Sequence, residues 1–260
     1  MNVIDQRYRK QWLKALGKHK PEGLWRKFAS SDELPAIDFS NAVSAVYSSN
    51  IEGNPIDVNS YLASKFRGQQ VRFKAKERKE IADLEKAYHF AETHALTERN
   101  LLGAHALLAG TLLPKPARGK YRGQMVYVYS RSGMEYAALE PEHVPSAMRQ
   151  LFAEIRTLRK SPLDVAGTFY HAALIHLVFV HIHPVMDGNG RAARLLEKWF
   201  LASKLGRKGW LVPAEMYYKE NLAEYYKNIK LGLNYYTLDY DRCLPFLTML
   251  VKSLVLAGDS

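Results

Sequence analysis

The chain is expected to be mainly α-helical, with one small β-hairpin. Three observations predict this. Apolar residues recur at three- and four-residue spacing along most of its 260 residues. The breaks between these stretches carry helix-ending residues, such as Gly53 followed by Pro55, and Pro114 with Pro116. A single stretch, Met125-Val126-Tyr127-Val128-Tyr129, is instead rich in strand formers.

In chain order, the periodicity predicts helices over 37–52, 77–96 and 100–112; in the second, Ile81, Leu84, Tyr88 and Ala91 share one face. The segment 123–139 reads as a hairpin whose two runs are separated by the turn-like Ser130-Arg131-Ser132-Gly133. Helices resume over 145–159 and over the strongly apolar 162–180. The next, 190–205, should bury Leu195, Leu196, Trp199 and Phe200 and stop at Gly206. Two more follow over 218–231 and 240–256. No repeat, low-complexity tract or Gly/Ser linker divides the chain, so a single domain over 1–260 is expected.

A hydrophobic fraction of 47% is enough for a substantial core. The amino terminus, MNVIDQRYRKQWLKALGKHK, is charged throughout and lacks the apolar stretch of a secretory signal. The apolar runs near 172–180 and 246–255 are too short to span a bilayer or are interrupted by His176 and Lys252, so no membrane span is expected. Cys243 is the only cysteine, which excludes an intrachain disulfide and fits a reducing, cytoplasmic setting; no local signature marks it as a catalytic thiol. The formal charge of +11 is compatible with nucleic acid, an acidic partner or a phosphorylated ligand. Its densest stretch, 65–80, has seven Lys and Arg residues interleaved with Phe66 and Phe73, and reads as a solvated helix face or loop.

The chemistry concentrates in His183-Pro184-Val185-Met186-Asp187-Gly188-Asn189-Gly190-Arg191. Pro184 disfavours the helical conformation at His183, so the incoming helix should end there and hold the imidazole at the mouth of a loop. Gly188-Asn189-Gly190 then leads into a helix whose first backbone N–H groups are unpaired and lie at the positive end of its dipole, making an anion cradle. Asn189 can add an amide donor, and Arg191 and Arg194, three apart on one helix face, can grip outer phosphates. Asp187 at the edge suits a magnesium ion shared with phosphate oxygens. His183 could accept the proton of an attacking hydroxyl. A metal-hydrolase reading of His176, His181, His183 and Asp187 is disfavoured by spacing, since residues two apart do not share a helix face; His176 and His181 read as core or helix-end histidines.

The run from His183 to Arg194, HPVMDGNGRAAR, resembles the signature HPFx(D/E)GNGRxxR of the Fic (filamentation induced by cAMP) family, and the resemblance extends over about 37–233. It implies a Fic-type helical core over 100–235, with a hairpin flap at 123–139 and the motif at 183–194. The implied activity is transfer of AMP from ATP, with Mg2+, to a Ser, Thr or Tyr hydroxyl of a target protein, releasing pyrophosphate. His183 would be the base and Asp187 the magnesium ligand. Gly188, Asn189 and Gly190 would hold the phosphates, and Arg191 and Arg194 would contact the β- and γ-phosphates. The flap would dock the target by main-chain pairing, and self-AMPylation is also allowed. Tyr225-Tyr226 resembles the family's adenine-lining pair, with Tyr226 taken as the contact. Gly-Asn-Gly-Arg, where the phosphotransferring Doc branch has Ala-Asn-Lys-Arg, favours nucleotide transfer, and direct nucleic-acid binding is not expected. One departure is Val185 in place of the family Phe, which keeps apolarity but loses volume and leaves room for looser loop packing.

Ser48-Ser49-Asn50-Ile51-Glu52-Gly53 resembles the family's inhibitory motif (S/T)xxxE(G/N), on a helical segment 37–53. Ser48 and Glu52, four residues apart, can point into one pocket. In that class of enzymes the glutamate pairs with the motif's second arginine, here Arg194, and leaves ATP in an unproductive pose. The reading is an autoinhibited adenylyltransferase. Removal of AMP, another nucleotidyl or phosphoryl transfer on the same scaffold, and a non-catalytic basic binding module are the alternatives.

Overall fold

The computed structural model describes residues 1–130 and 133–256; Arg131 and Ser132, in the expected turn, lie outside the described residues. The helices are α1 (Arg9–Ala15), α2 (Pro21–Ala29), α3 (Ile37–Ile51), α4 (Val58–Phe66), α5 (Ala75–Thr93), α6 (Glu98–Leu108), α7 (Val144–Lys160), α8 (Val165–Ile182), α9 (Asn189–Leu205), α10 (Ala214–Glu220), α11 (Leu222–Ile229) and α12 (Leu244–Leu256). Between α6 and α7 the strands β1 (Tyr127–Ser130) and β2 (Gly133–Ala137) pair antiparallel, with an irregularity between Val128 and Tyr129. This is a mainly α helical core with a small two-stranded hairpin.

The axis of the molecule is α8. Sixteen of its 18 residues are buried, and it packs against α9, α7, α2 and α12. By length and apolarity alone α8 could cross a bilayer, but here it is the inner helix of the core. Its neighbour α9 buries Leu195, Leu196, Trp199 and Phe200 as expected, yet also buries Arg191, Arg194, Glu197 and Lys198. Buried charges persist only when partnered. Lys198 meets Glu215 at 2.7 Å and Ser44 at 2.6 Å, and Glu197 accepts from Tyr218 at 3.0 Å. The small side chains of α3, including Ser40, Ala42, Ser44, Ala45 and Ser48, leave room for these long polar groups.

The expected helix 218–231 is broken. The break falls at Asn221, which leaves helical dihedrals at φ −111 and ψ 42 and also donates its side-chain amide to the Tyr217 carbonyl at 3.0 Å. The expected helix 240–256 opens as a 3-10 turn at Tyr240–Arg242 and becomes α-helical at Leu244, because Pro245 is tolerated only in a first turn. The basic stretch 65–80 forms the end of α4, an extended link and the start of α5, with Lys65 paired to Glu85 at 2.6 Å.

Candidate functional site

Helix α8 ends at His183, a non-glycine residue in the left-handed region at φ 53, followed by Pro184. That conformation costs on the order of 1 kcal/mol and needs support from its surroundings. Arg122 supplies much of it. Its Nε donates to the His183 carbonyl at 2.7 Å, its Nη1 to Gln124 at 2.8 Å, and its Nη2 to the Leu139 carbonyl, while its backbone N–H bonds Pro184 O at 3.0 Å. One buried guanidinium therefore ties the base of the hairpin to the end of α8. Tyr136 of β2 adds a bond to the His181 carbonyl at 2.6 Å.

The His183 Nδ1 faces the Val180 carbonyl at 3.2 Å. Only a protonated nitrogen satisfies a carbonyl, so Nδ1 carries the proton and Nε2 keeps its lone pair. Burial pushes this imidazole down to about 4 despite the Val180 hydrogen bond, so it is neutral near pH 7. His181 is used up structurally, with Nε2 at 2.9 Å from Ile229 O and Nδ1 at 2.9 Å from the Tyr240 hydroxyl. His176 lies between Glu197 and Tyr225, at 3.0 Å from each. Neither turns toward His183 to form a metal centre.

The loop is held from inside. The Asn189 side chain accepts from Val185 N–H at 3.0 Å and donates to Val185 O at 2.8 Å, so both ends of its amide bracket the turn. Val185 is buried at 2% exposure. His105 of α6 donates Nε2–H to the Asp187 carbonyl at 2.9 Å while its Nδ1 accepts from Gly119 N–H at 3.0 Å. Gly188 takes φ 86, and a side chain there would meet Leu108 at 2.9 Å. The Asp187 side chain is exposed and accepts from Gly188 N–H at 2.6 Å.

Helix α3 ends in a Schellman turn: Gly53, at φ 95, bonds Asn50 O and Asn54 bonds Ser49 O, both at 3.1 Å. The turn leaves Glu52 as the capping residue, facing the start of α9. Its carboxylate accepts from Arg194 Nη2 at 2.8 Å and lies against the Gly190 Cα, where any Cβ would collide with it. Arg194 is 1% exposed and also donates to Ser48 Oγ at 2.8 Å, Ser48 O at 3.0 Å and the Tyr225 hydroxyl at 3.1 Å. Burial alone would raise the Glu52 carboxyl, but Arg194 and Arg191 outweigh it and hold it below the ordinary carboxylate value. A carboxylate thus occupies the positive end of a helix dipole, where an external anion would bind.

Two cavities meet at Glu52. One, of about 170 Å3, is lined by Glu52, His183, Gly190, Arg194 and Tyr226. The other, of about 440 Å3, is lined by Glu52, Asp187 and Arg191 with Glu80 and Lys76. Most of the residues singled out in the sequence are therefore drawn to one region, with Glu52 bordering both cavities. Tyr226 is 41% exposed and donates to Ile51 O at 2.9 Å. Three features lay outside the sequence reading. Arg122 and His105 act through carbonyls far away in sequence, and Arg191 Nη2 is bound to Glu80 of α5. Tyr225 also proves central, since its buried hydroxyl joins Arg194 to His176.

Residues 95–201 match the model of the Fic/DOC family. The chain is 28% identical over 190 residues to the protein adenylyltransferase fic-1 of Caenorhabditis briggsae, covering 70% of this chain and 34% of that protein. It is 30% identical over 164 residues to the protein adenylyltransferase Fic of Nematostella vectensis, covering 58% and 35%. The chain thus spans about a third of the length of the curated relatives it matches. A Fic family protein of Desulfovibrio desulfuricans G20 superposes with a TM-score of 0.70 at 20% identity, covering 99% of this chain and 73% of that one.

Proposed function

We propose that this chain, a homologue of Fic/DOC adenylyltransferases with their fold, is itself an autoinhibited protein adenylyltransferase that transfers AMP from ATP to a hydroxyl of a target protein. The observation that carries the reading is that a neutral imidazole with a lone pair on Nε2 and the amino-terminal end of α9 line one cavity. The target hydroxyl oxygen attacks the α-phosphorus of ATP. The new O–P bond forms as the bond to the bridging oxygen breaks, pyrophosphate leaves, and the hydroxyl proton passes to His183 Nε2.

The first N–H groups of α9 at Asn189 and Gly190, with Arg191 and Arg194, would take the phosphates. The Asn189 side chain contributes by holding the loop, because its amide is spent on Val185. The donor set also suits magnesium. Asp187 is an exposed carboxylate with one oxygen engaged by Gly188 N–H, beside a cavity shared with Arg191, and magnesium is commonly held by one carboxylate plus substrate phosphates. When bound, the ion would neutralise and orient phosphate oxygens. Tyr226 would border the base, and the hairpin edge would pair with a target backbone.

Glu52 explains why activity should be low in the resting chain. It takes the Arg194 donor that a phosphate needs and borders both cavities, so its departure would join the space near Tyr226 with that near Asp187. A second reading, AMP removal, is favoured by the same carboxylate, which Arg194 keeps ionised beside His183 and which could orient a water molecule. The test is incubation of wild type, Glu52→Gly and His183→Ala with magnesium and ATP labelled at the α- or γ-phosphate. Adenylyl transfer gives α-label only, strongest for Glu52→Gly and absent for His183→Ala. Transfer of γ-label would overturn it.

A further inference from the structure

The two motif arginines have carboxylate partners of different kinds. Glu52 caps α3 at a glycine turn, and its side chain is 29% exposed, so a local change of backbone or rotamer can withdraw it. Glu80 lies inside the 19-residue α5, whose Ile81, Asp83, Leu84, Ala87, Tyr88 and Ala91 are buried. Its Oε1 accepts from Arg191 Nη2, and its Oε2 faces Asn54 Nδ2 at 3.4 Å. Asn54 is itself fixed, donating to Glu77 O at 3.0 Å and accepting from Ile56 N–H at 3.1 Å. The Glu80 side chain is 13% exposed and that of Arg191 7%.

A guanidinium stays charged and carries its donors in a rigid fork, so fixing one nitrogen fixes the direction of the rest. On Arg191, Nε is buried and has no hydrogen-bond partner among the described residues. A buried unpaired donor is costly and suits an acceptor that arrives with a ligand. Arg191 and Asp187 border the same cavity, so that acceptor has a place to come from.

We infer that Glu80 is a positioning residue for the phosphate site: it holds the Arg191 fork at all times, so that Arg191 meets a phosphate oxygen already aimed, while Glu52 forms its direct bond with Arg194 and switches that donor. The identity of the ligand as ATP rests on the proposed adenylyl transfer. When Glu52 swings out, the cradle gains chiefly the charge of Arg194, because Arg191 remains paired with Glu80.

The test places Glu80→Ala and Glu80→Gln in the Glu52→Gly background and measures calorimetric affinities for Mg-ATP, inorganic pyrophosphate and adenosine, with KM and kcat for α-label transfer. Glu80→Ala should weaken Mg-ATP and pyrophosphate about tenfold, the scale of one misaligned charge-assisted bond, and raise KM with little change in kcat. Adenosine affinity should not change. Glu80→Gln keeps an oxygen for Nη2 and should recover most of the loss. Tighter Mg-ATP binding by Glu80→Ala would make Glu80 a competitor. An equal loss for adenosine, or no recovery with Gln, would make its role structural; either result overturns the inference. If Glu52→Gly binds Mg-ATP but transfers nothing, adenylyl transfer fails while the calorimetry still decides Glu80; if it binds neither Mg-ATP nor pyrophosphate, both fail.

Discussion

Replacing Glu52 with Gly should destabilise the resting protein and strengthen its response to nucleotide. Arg194 loses its ionic partner but keeps Ser48 Oγ at 2.8 Å, Ser48 O at 3.0 Å and Tyr225 at 3.1 Å. A hydrogen bond to a charged group contributes about 1.5–3 kcal/mol. The partial exposure of Glu52 and the three remaining acceptors move the loss toward the lower end, about 1–2 kcal/mol. At about 2–4 °C per kcal/mol for a chain of this size, the unfolding midpoint should fall by about 2–8 °C. The same 1–2 kcal/mol no longer has to be overcome by a phosphate, so Mg-ATP should bind about 5–30-fold more tightly. At a hundredfold excess over its Kd, Mg-ATP stabilises by about 2.7 kcal/mol, enough to bring the variant back to the wild-type midpoint or above it. Scanning fluorimetry with and without Mg-ATP reads both effects. An unchanged midpoint together with an unchanged nucleotide shift would refute the idea that this pair holds the site closed.

In the Glu52→Gly background, His183→Ala should lower α-label transfer at least about a hundredfold while leaving the Mg-ATP midpoint shift intact; the His183 chain should itself show a transfer rate independent of pH from about 5 to 8, falling only toward the folded value of about 4. Because burial lowers both His181 and His183 to about 4 from 6.5, the unfolded chain binds more protons between those limits. Stability should therefore drop as pH falls from 6.5 toward 4, as measured by denaturant titration at each pH. Gly190→Ala places a Cβ against the Glu52 carboxylate, so its destabilisation should largely disappear in the Glu52→Gly chain; additive losses in the double-mutant cycle would contradict the contact. Asp187→Asn, at an exposed side chain, should change stability by less than about 0.5 kcal/mol yet raise the magnesium concentration needed for transfer.

What could be read from the sequence was local. The end of α8 at His183 and the stop at Gly53 follow from residues adjacent in the chain, because proline and glycine act on their own and neighbouring dihedral angles. The cluster at residues 183–194 was visible for the same reason: a loop entering a helix gathers its groups without any tertiary contact. Glu80 was not visible, since nothing in a helix of alternating charge distinguishes the one carboxylate that reaches across to Arg191, 111 residues away. The contacts of Arg122 were hidden in the same way, as its acceptors are carbonyls and carbonyls carry no sequence signal. The break at Asn221 was missed because one residue leaving helical dihedrals, at φ −111 and ψ 42, does not interrupt an apolar periodicity that continues through it.

Under the proposed adenylyl transfer, the Arg122 guanidinium has a consequence for how a target would meet His183. It bonds carbonyls at both feet of the hairpin, Gln124 and Leu139, and the carbonyl of His183 itself. The feet of the hairpin and the backbone that carries the imidazole are thereby tied through one side chain. A peptide aligned along that edge would be measured in residues from a fixed mark, so its position along the strand, and not the chemistry of its neighbouring side chains, would decide which of its hydroxyls comes within reach.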